Sequence, residues 1–98
     1  MRVMIDLCIV PIGVGTSLSK YIIVCEKILQ ETDLEIQLHA YGTNIAGPWD
    51  DVFAAVKRCH EALHELGAPR ITTTIKCGTR TDKTQTIQQK IDSVADHL

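Results

Sequence analysis

The sequence predicts an α+β sandwich, in which helices cover a four-stranded antiparallel sheet. Three observations carry that expectation. Val3–Val10 is an almost uninterrupted apolar run, rich in residues that favour strands. Residues 18–31 and 48–66 instead repeat their apolar side chains at helical spacing. Shorter alternating stretches lie between and after those two, so the order reads strand, helix, strand, strand, helix, strand.

In the first strand Val3, Ile5, Leu7 and Ile9 point to one face, and Met4, Asp6, Cys8 and Val10 to the other. A strand apolar on both faces belongs in the middle of a sheet, and in so short a chain its second face calls for a partner subunit. Leu18, Tyr21, Ile22, Cys25, Ile28 and Leu29 form the stripe of the first helix, with Thr16 or Ser17 as its expected N-cap. Leu34, Ile36, Leu38 and Ala40 alternate with Glu35, Gln37, His39 and Tyr41 as a half-buried strand; Gly42 marks a tight turn or bulge, and "TNIAG" a short return strand.

Pro48 suits the first position of a second helix. Asp50 and Asp51 then complement its dipole, and Val52, Phe53, Val56, Cys59, Leu63 and Leu66 supply its apolar stripe. Gly67 and Pro69 end it. "RITTTIKC" alternates again, "GTRTDKTQT" is a polar loop, and Ile87, Ile91, Val94, Ala95 and Leu98 mark a last short helix. This is the ferredoxin-like split β-α-β pattern, with two helices on one sheet face, expected as a single domain over residues 1–98. The other face would be open in a monomer.

Composition narrows the function. With 45% hydrophobic and 22% charged residues the chain should fold as a globule. A net charge of −2 disfavours a nucleic-acid binder that works through a broad basic face. No stretch is long and apolar enough to span a bilayer, and "MRVMIDLCIV" reads as a strand rather than a signal peptide. Cys8, Cys25, Cys59 and Cys77 never form C-x-x-C and sit in apolar periodic segments, as free buried thiols do, so a cytoplasmic location with reduced thiols is expected.

Three stretches invite chemistry. "VPIGVGTSLSKY" offers a glycine-rich loop and then a helix start beside Thr16, Ser17 and Ser19. It fails both nucleotide fingerprints: Ser19 rather than Gly precedes Lys20, and Leu18 occupies the place of a third glycine. What remains is a place suited to an anion or polar ligand, or an ordinary capped turn. His60-Glu61-Ala62-Leu63-His64 matches H-E-x-x-H, but no third zinc ligand is evident, and the expectation is no metal site. Last, Asp6, Gln37, His39, Thr72, Thr74 and Lys76 share one parity with Met4, Cys8 and Val10, a mixed face that suits a subunit interface or a ligand site.

"VPIGVGTSLSKY", "LHAYGTNIAGPWDDV", "CHEALHELGAPRITTTIK" and "TRTDKTQT", in this order and at this length, resemble the small ferredoxin-like thiamine-binding protein family. The resemblance implies assembly through the sheets into dimers and then tetramers. It also implies non-catalytic binding of thiamine or its hydroxymethylpyrimidine part, in thiamine metabolism or transport, with no cofactor and no enzyme activity. The positions matching the family's motifs are Gly13, Thr16, Ser17, Ser19, Tyr21, His39, Gly42, Thr43, Gly47, Arg80, Asp82 and Lys83. One position departs: Ala46 stands where the family commonly carries an acidic residue.

The residue chemistry is compatible. Hydroxyls such as Ser17, Ser19 and Thr43 donate or accept toward an aminopyrimidine, and Tyr21 and Trp49 offer aromatic faces. The expected ligand-binding set is therefore Thr16, Ser17, Ser19, Tyr21, His39, Thr43, Trp49 and Thr74, drawn from one subunit or two. A structural or regulatory oligomer without a ligand is the alternative.

Overall fold

The computed structural model describes residues 1–98. Its elements are β1 (Arg2–Ile12), α1 (Ser19–Gln30), β2 (Glu35–His39), β3 (Gly42–Pro48), α2 (Trp49–Glu65), β4 (Arg70–Gly78) and α3 (Ile87–Ala95). The strands lie in the order β2-β3-β1-β4, each antiparallel to its neighbour. This is the ferredoxin-like arrangement, with the most apolar strand inside and β2 and β4 at the edges.

Register assigns the faces. Ile36 is opposite Ile45, Ile45 opposite Ile5, and Ile5 opposite Cys77, so these four share one side. On it Val3, Ile5, Leu7 and Ile9 bury against Tyr21, Cys25 and Leu29 of α1 and Val52, Ala55, Val56, Cys59 and Leu63 of α2. Fully burying a large aliphatic side chain contributes roughly 1.5–3 kcal/mol, so this layer is the main source of stability. His60 belongs to the same packing. Its Nε2 lies 2.5 Å from Thr73 Oγ1, while His64 Nδ1 donates to the Ala68 carbonyl at 2.8 Å. His60 thus ties α2 to β4, while His64 fastens the turn that follows α2. No group of three or more His, Cys, Asp or Glu side chains surrounds a common point.

Four local expectations change. Leu18, not Thr16 or Ser17, is the N-cap of α1, and no side chain caps it. The half-buried Leu18 is drawn toward the core while both hydroxyl residues stay exposed upstream. Pro48 keeps an extended conformation (φ −58°, ψ 137°) opposite Arg2, so α2 begins at Trp49. Cys77 is exposed and Cys8 half-buried, leaving Cys25 and Cys59 as the buried thiols. The Cys59 thiol beside it, and then burial, push the Cys25 thiol well above its ordinary range, so it stays protonated.

The fourth change bears on function. The sheet face expected to be open is partly covered by α3. A capping box at Thr86 and Gln89 starts this helix, and the Ile87 N–H donates to Glu35 Oε1 at 2.6 Å. Glu35 lies opposite Ala46, and Ala46 opposite Met4, all on the side away from α1 and α2. Ala46 and Ile87 are both buried, 1% and 4% exposed, yet stand outside the main core. Their burial accompanies the docking of α3 on this second face. Ala46 is thus a small buried residue on the sheet face that α3 partly covers.

Candidate ligand-binding groove

A groove of about 920 Å3 lies between the sheet face opposite α1 and α2, the loop 78–86 and α3. It falls in the size range of small-molecule sites. Its floor is a row across three strands. Asn44 on β3 is opposite Asp6 on β1, and Asp6 is opposite Lys76 on β4; all three line the groove. Strand alternation places them there, each sitting between two residues that face the helices.

Asp6 is held in place by His39. The imidazole Nε2 donates to Asp6 Oδ1 at 2.7 Å, and Nδ1 accepts from the Tyr41 N–H at 3.3 Å. Both ring nitrogens are used, which defines the Nε2–H tautomer and leaves the second carboxylate oxygen of Asp6 free. Asn44 makes only a long 3.5 Å bond from its amide to the Ile5 carbonyl. The floor therefore offers a carboxylate acceptor, an amide with both donor and acceptor atoms, and an ammonium.

The loop side is braced by Arg80. Its Nε and Nη2 grip Asp82, the former at 2.7 Å, and its Nη1 donates to Gln85 Oε1 at 2.9 Å. This guanidinium fork holds the Asp82 carboxyl down at about 2. Arg2 lies 3.7 Å from Glu35, the carboxylate that also takes the α3 N–H.

The ligand residues expected from sequence fall in separate places. Thr16, Ser17 and Ser19 are exposed on the loop after β1, where Gly13 (φ 86°) and Gly15 (φ 92°) turn the chain. Tyr21 is buried in the core, with Lys20 5.0 Å above its ring. Thr43 is buried too, its hydroxyl donating to Glu26 Oε1 at 2.5 Å between β3 and α1. Trp49 lies at the other end of the sheet, since its N–H bonds the Met1 carbonyl at 2.8 Å. The 11 residues of β1 span roughly 35 Å at about 3.3 Å each, so Trp49 and the Thr16–Ser19 loop cannot hold one small ligand in one chain. His39 and Thr74 share a face, but on opposite edge strands roughly 14 Å apart at about 4.8 Å per strand.

Within one chain, His39 alone of that set adjoins the groove, through Asp6. Asn44 and Lys90 were not singled out in the sequence. Asn44 gives a signal, a polar residue alternating with buried Thr43 and Ile45; Lys90 gives none, because nothing local shows where α3 docks.

The second face of this ferredoxin-like sheet thus carries a polar-floored groove of small-molecule size. Comparison with known proteins gives the family. The family model described as thiamine-binding protein matches residues 5–95, and the chain belongs to that family. A UPF0045 protein of Synechocystis is 58% identical over 96% of this chain and 78% of its own length. A UPF0045 protein of Eremothecium gossypii is 43% identical over 100% of this chain and 94% of its own. Among solved structures, a hypothetical protein of Methanocaldococcus jannaschii superposes with a TM-score of 0.89 at 28% identity, covering 97% of both chains. A putative thiamine biosynthesis/salvage protein of Thermotoga maritima shares the fold, with a TM-score of 0.80 at 16% identity and full coverage of both chains.

Proposed function

We propose that the protein binds thiamine or a thiamine-related aminopyrimidine, without catalysis, and that the groove beneath α3 is the site. The observation that carries this reading is the row Asn44–Asp6–Lys76 on the groove floor. An aminopyrimidine presents an exocyclic NH2 donor beside a ring-nitrogen acceptor. The free oxygen of Asp6 accepts from the amino group, and the Asn44 amide donates to the ring nitrogen. Family membership supplies the ligand class. The family's description as a thiamine-binding protein supports binding rather than turnover.

Self-association is part of the same reading. Val10 and Ile12, 37% and 39% exposed, prolong the second face of β1 toward its C-terminal end.

Calorimetric titration with thiamine and with hydroxymethylpyrimidine tests the site. Asp6→Asn keeps an acceptor for His39 but places an NH2 group toward the ligand. Bonds to charged groups are worth about 1.5–3 kcal/mol, so affinity should fall roughly 10- to 150-fold. Ser17→Ala is the competing arm: a loss there, with none in Asp6→Asn, moves the site to the loop after β1.

A further inference from the structure

The charge of the groove runs against that of the chain. It is lined by five of the ten Lys and Arg residues but only two of the twelve Asp and Glu residues. Both carboxylates already have partners, Asp82 in Arg80 and Asp6 in His39. Arg2 and Arg80 are likewise engaged, with Glu35 and Asp82. Lys76, Lys83 and Lys90 remain, and no carboxylate oxygen lies within 4.0 Å of any of their amines. They come from β4, from the loop 78–86 and from α3, which are the floor and the two walls. Three ammonium groups that line one groove with no carboxylate in direct contact leave a net positive field that favours an anion. A free thiazolium cation is a poor complement to that field.

We infer that the groove takes a phosphorylated aminopyrimidine, the ring on Asn44 and Asp6 and the phosphate ester among Lys76, Lys83 and Lys90. This rests on the aminopyrimidine reading above and names the form of the ligand. The phosphate is drawn by side chains rather than by the start of α3, because Glu35 already takes the Ile87 N–H and Thr86 Oγ1 the Gln89 N–H. Lysines are suited to this part, as point charges that follow a phosphate without fixed geometry.

The test is calorimetric titration of the full chain with thiamine, thiamine monophosphate and inorganic phosphate, at about 50 mM and about 500 mM salt. Thiamine monophosphate should bind at least about ten-fold more tightly than thiamine at low salt, and the preference should shrink at high salt as the lysines are screened. Lys83→Ala with Lys90→Ala should abolish the preference. Equal or tighter binding of thiamine overturns the inference and leaves the aminopyrimidine reading standing, as does a preference that survives the double substitution. Inorganic phosphate binding as tightly as the monophosphate, with thiamine unbound, overturns both. So does folded protein, judged by circular dichroism, that binds none of the three.

Discussion

His39 Nε2 lies 2.7 Å from Asp6 Oδ1, tying edge strand β2 to central strand β1 across β3. The bond spans β3 where its residue is Gly42, the strand partner of His39. A Cβ at Gly42 would collide with the Leu7 carbonyl oxygen and come within 3.3 Å of Asp6 Oδ1. The missing side chain therefore serves the strand pairing and the placement of the groove carboxylate together.

Gly42→Ala should accordingly destabilise the protein by about 1–3 kcal/mol, since the obstacle is backbone. Urea unfolding should show a lower midpoint at an unchanged slope. A midpoint equal to wild type would show that the hairpin shifts without cost.

Thr43 and Glu26 form a second tie, from β3 to α1. Thr43→Val keeps the shape, removes the donor and leaves a half-buried carboxylate short of a partner. The expected cost is about 1–3 kcal/mol by denaturant unfolding, with Thr43→Ser costing less because its hydroxyl remains.

Arg80 and Asp82 give a pH signature. The bound guanidinium lowers the Asp82 carboxyl from 3.8 to about 2 in the folded state. A lowered folded value means that the loop brace is fully present above the unfolded value and is lost as the pH falls from about 4 through about 2. NMR titration of the Asp82 carboxyl should give a midpoint near 2 in wild type. In Arg80→Ala it should return toward 3.8.

Ile87 anchors α3. Ile87→Ala removes a side chain only 4% exposed, and large-to-small changes at such sites cost about 2–5 kcal/mol when the site is fully coupled to the fold. Here the loss should concentrate in residues 87–95, with amide exchange there accelerating while β1 stays protected. Uniform acceleration across both would mean that α3 and the sheet unfold as one unit.

Val10 tests association. Light scattering at micromolar concentration should give a mass above that of one 10.9 kDa chain. Val10→Asp, on the outward parity of β1, should lower it. A wild-type mass of one chain would sink the expectation of a dimer or tetramer.

How much was legible from sequence differs between the elements and the site. The order of strands and helices could be read along the chain because periodicity is local: Val3, Ile5, Leu7 and Ile9 alternate wherever the strand is placed, and Val52, Val56, Cys59 and Leu63 share a helix stripe by their spacing alone. The outward parity of Asp6, Gln37, His39, Thr74 and Lys76 was readable for the same reason. The hydroxyls of the Thr16–Ser19 loop and the aromatic Trp49 invited one combined site because each has suitable chemistry. Strand direction and length place them at opposite ends of the sheet.

The sequence by itself thus determined the element order, the central place of the first strand, the two faces of the sheet and the family. Only the tertiary structure decided that Thr43 faces Glu26, that α3 partly covers the second sheet face, and that Asn44, Asp6, Lys76, Lys83 and Lys90 meet at one groove. Those outcomes depend on register between strands distant in the chain and on the docking of a helix joined by a polar loop. Register is set by simultaneous burial of all inward positions, and docking by the burial of Ile87 and its N–H bond to Glu35. Both are long-range balances of packing and desolvation that no local window of residues contains.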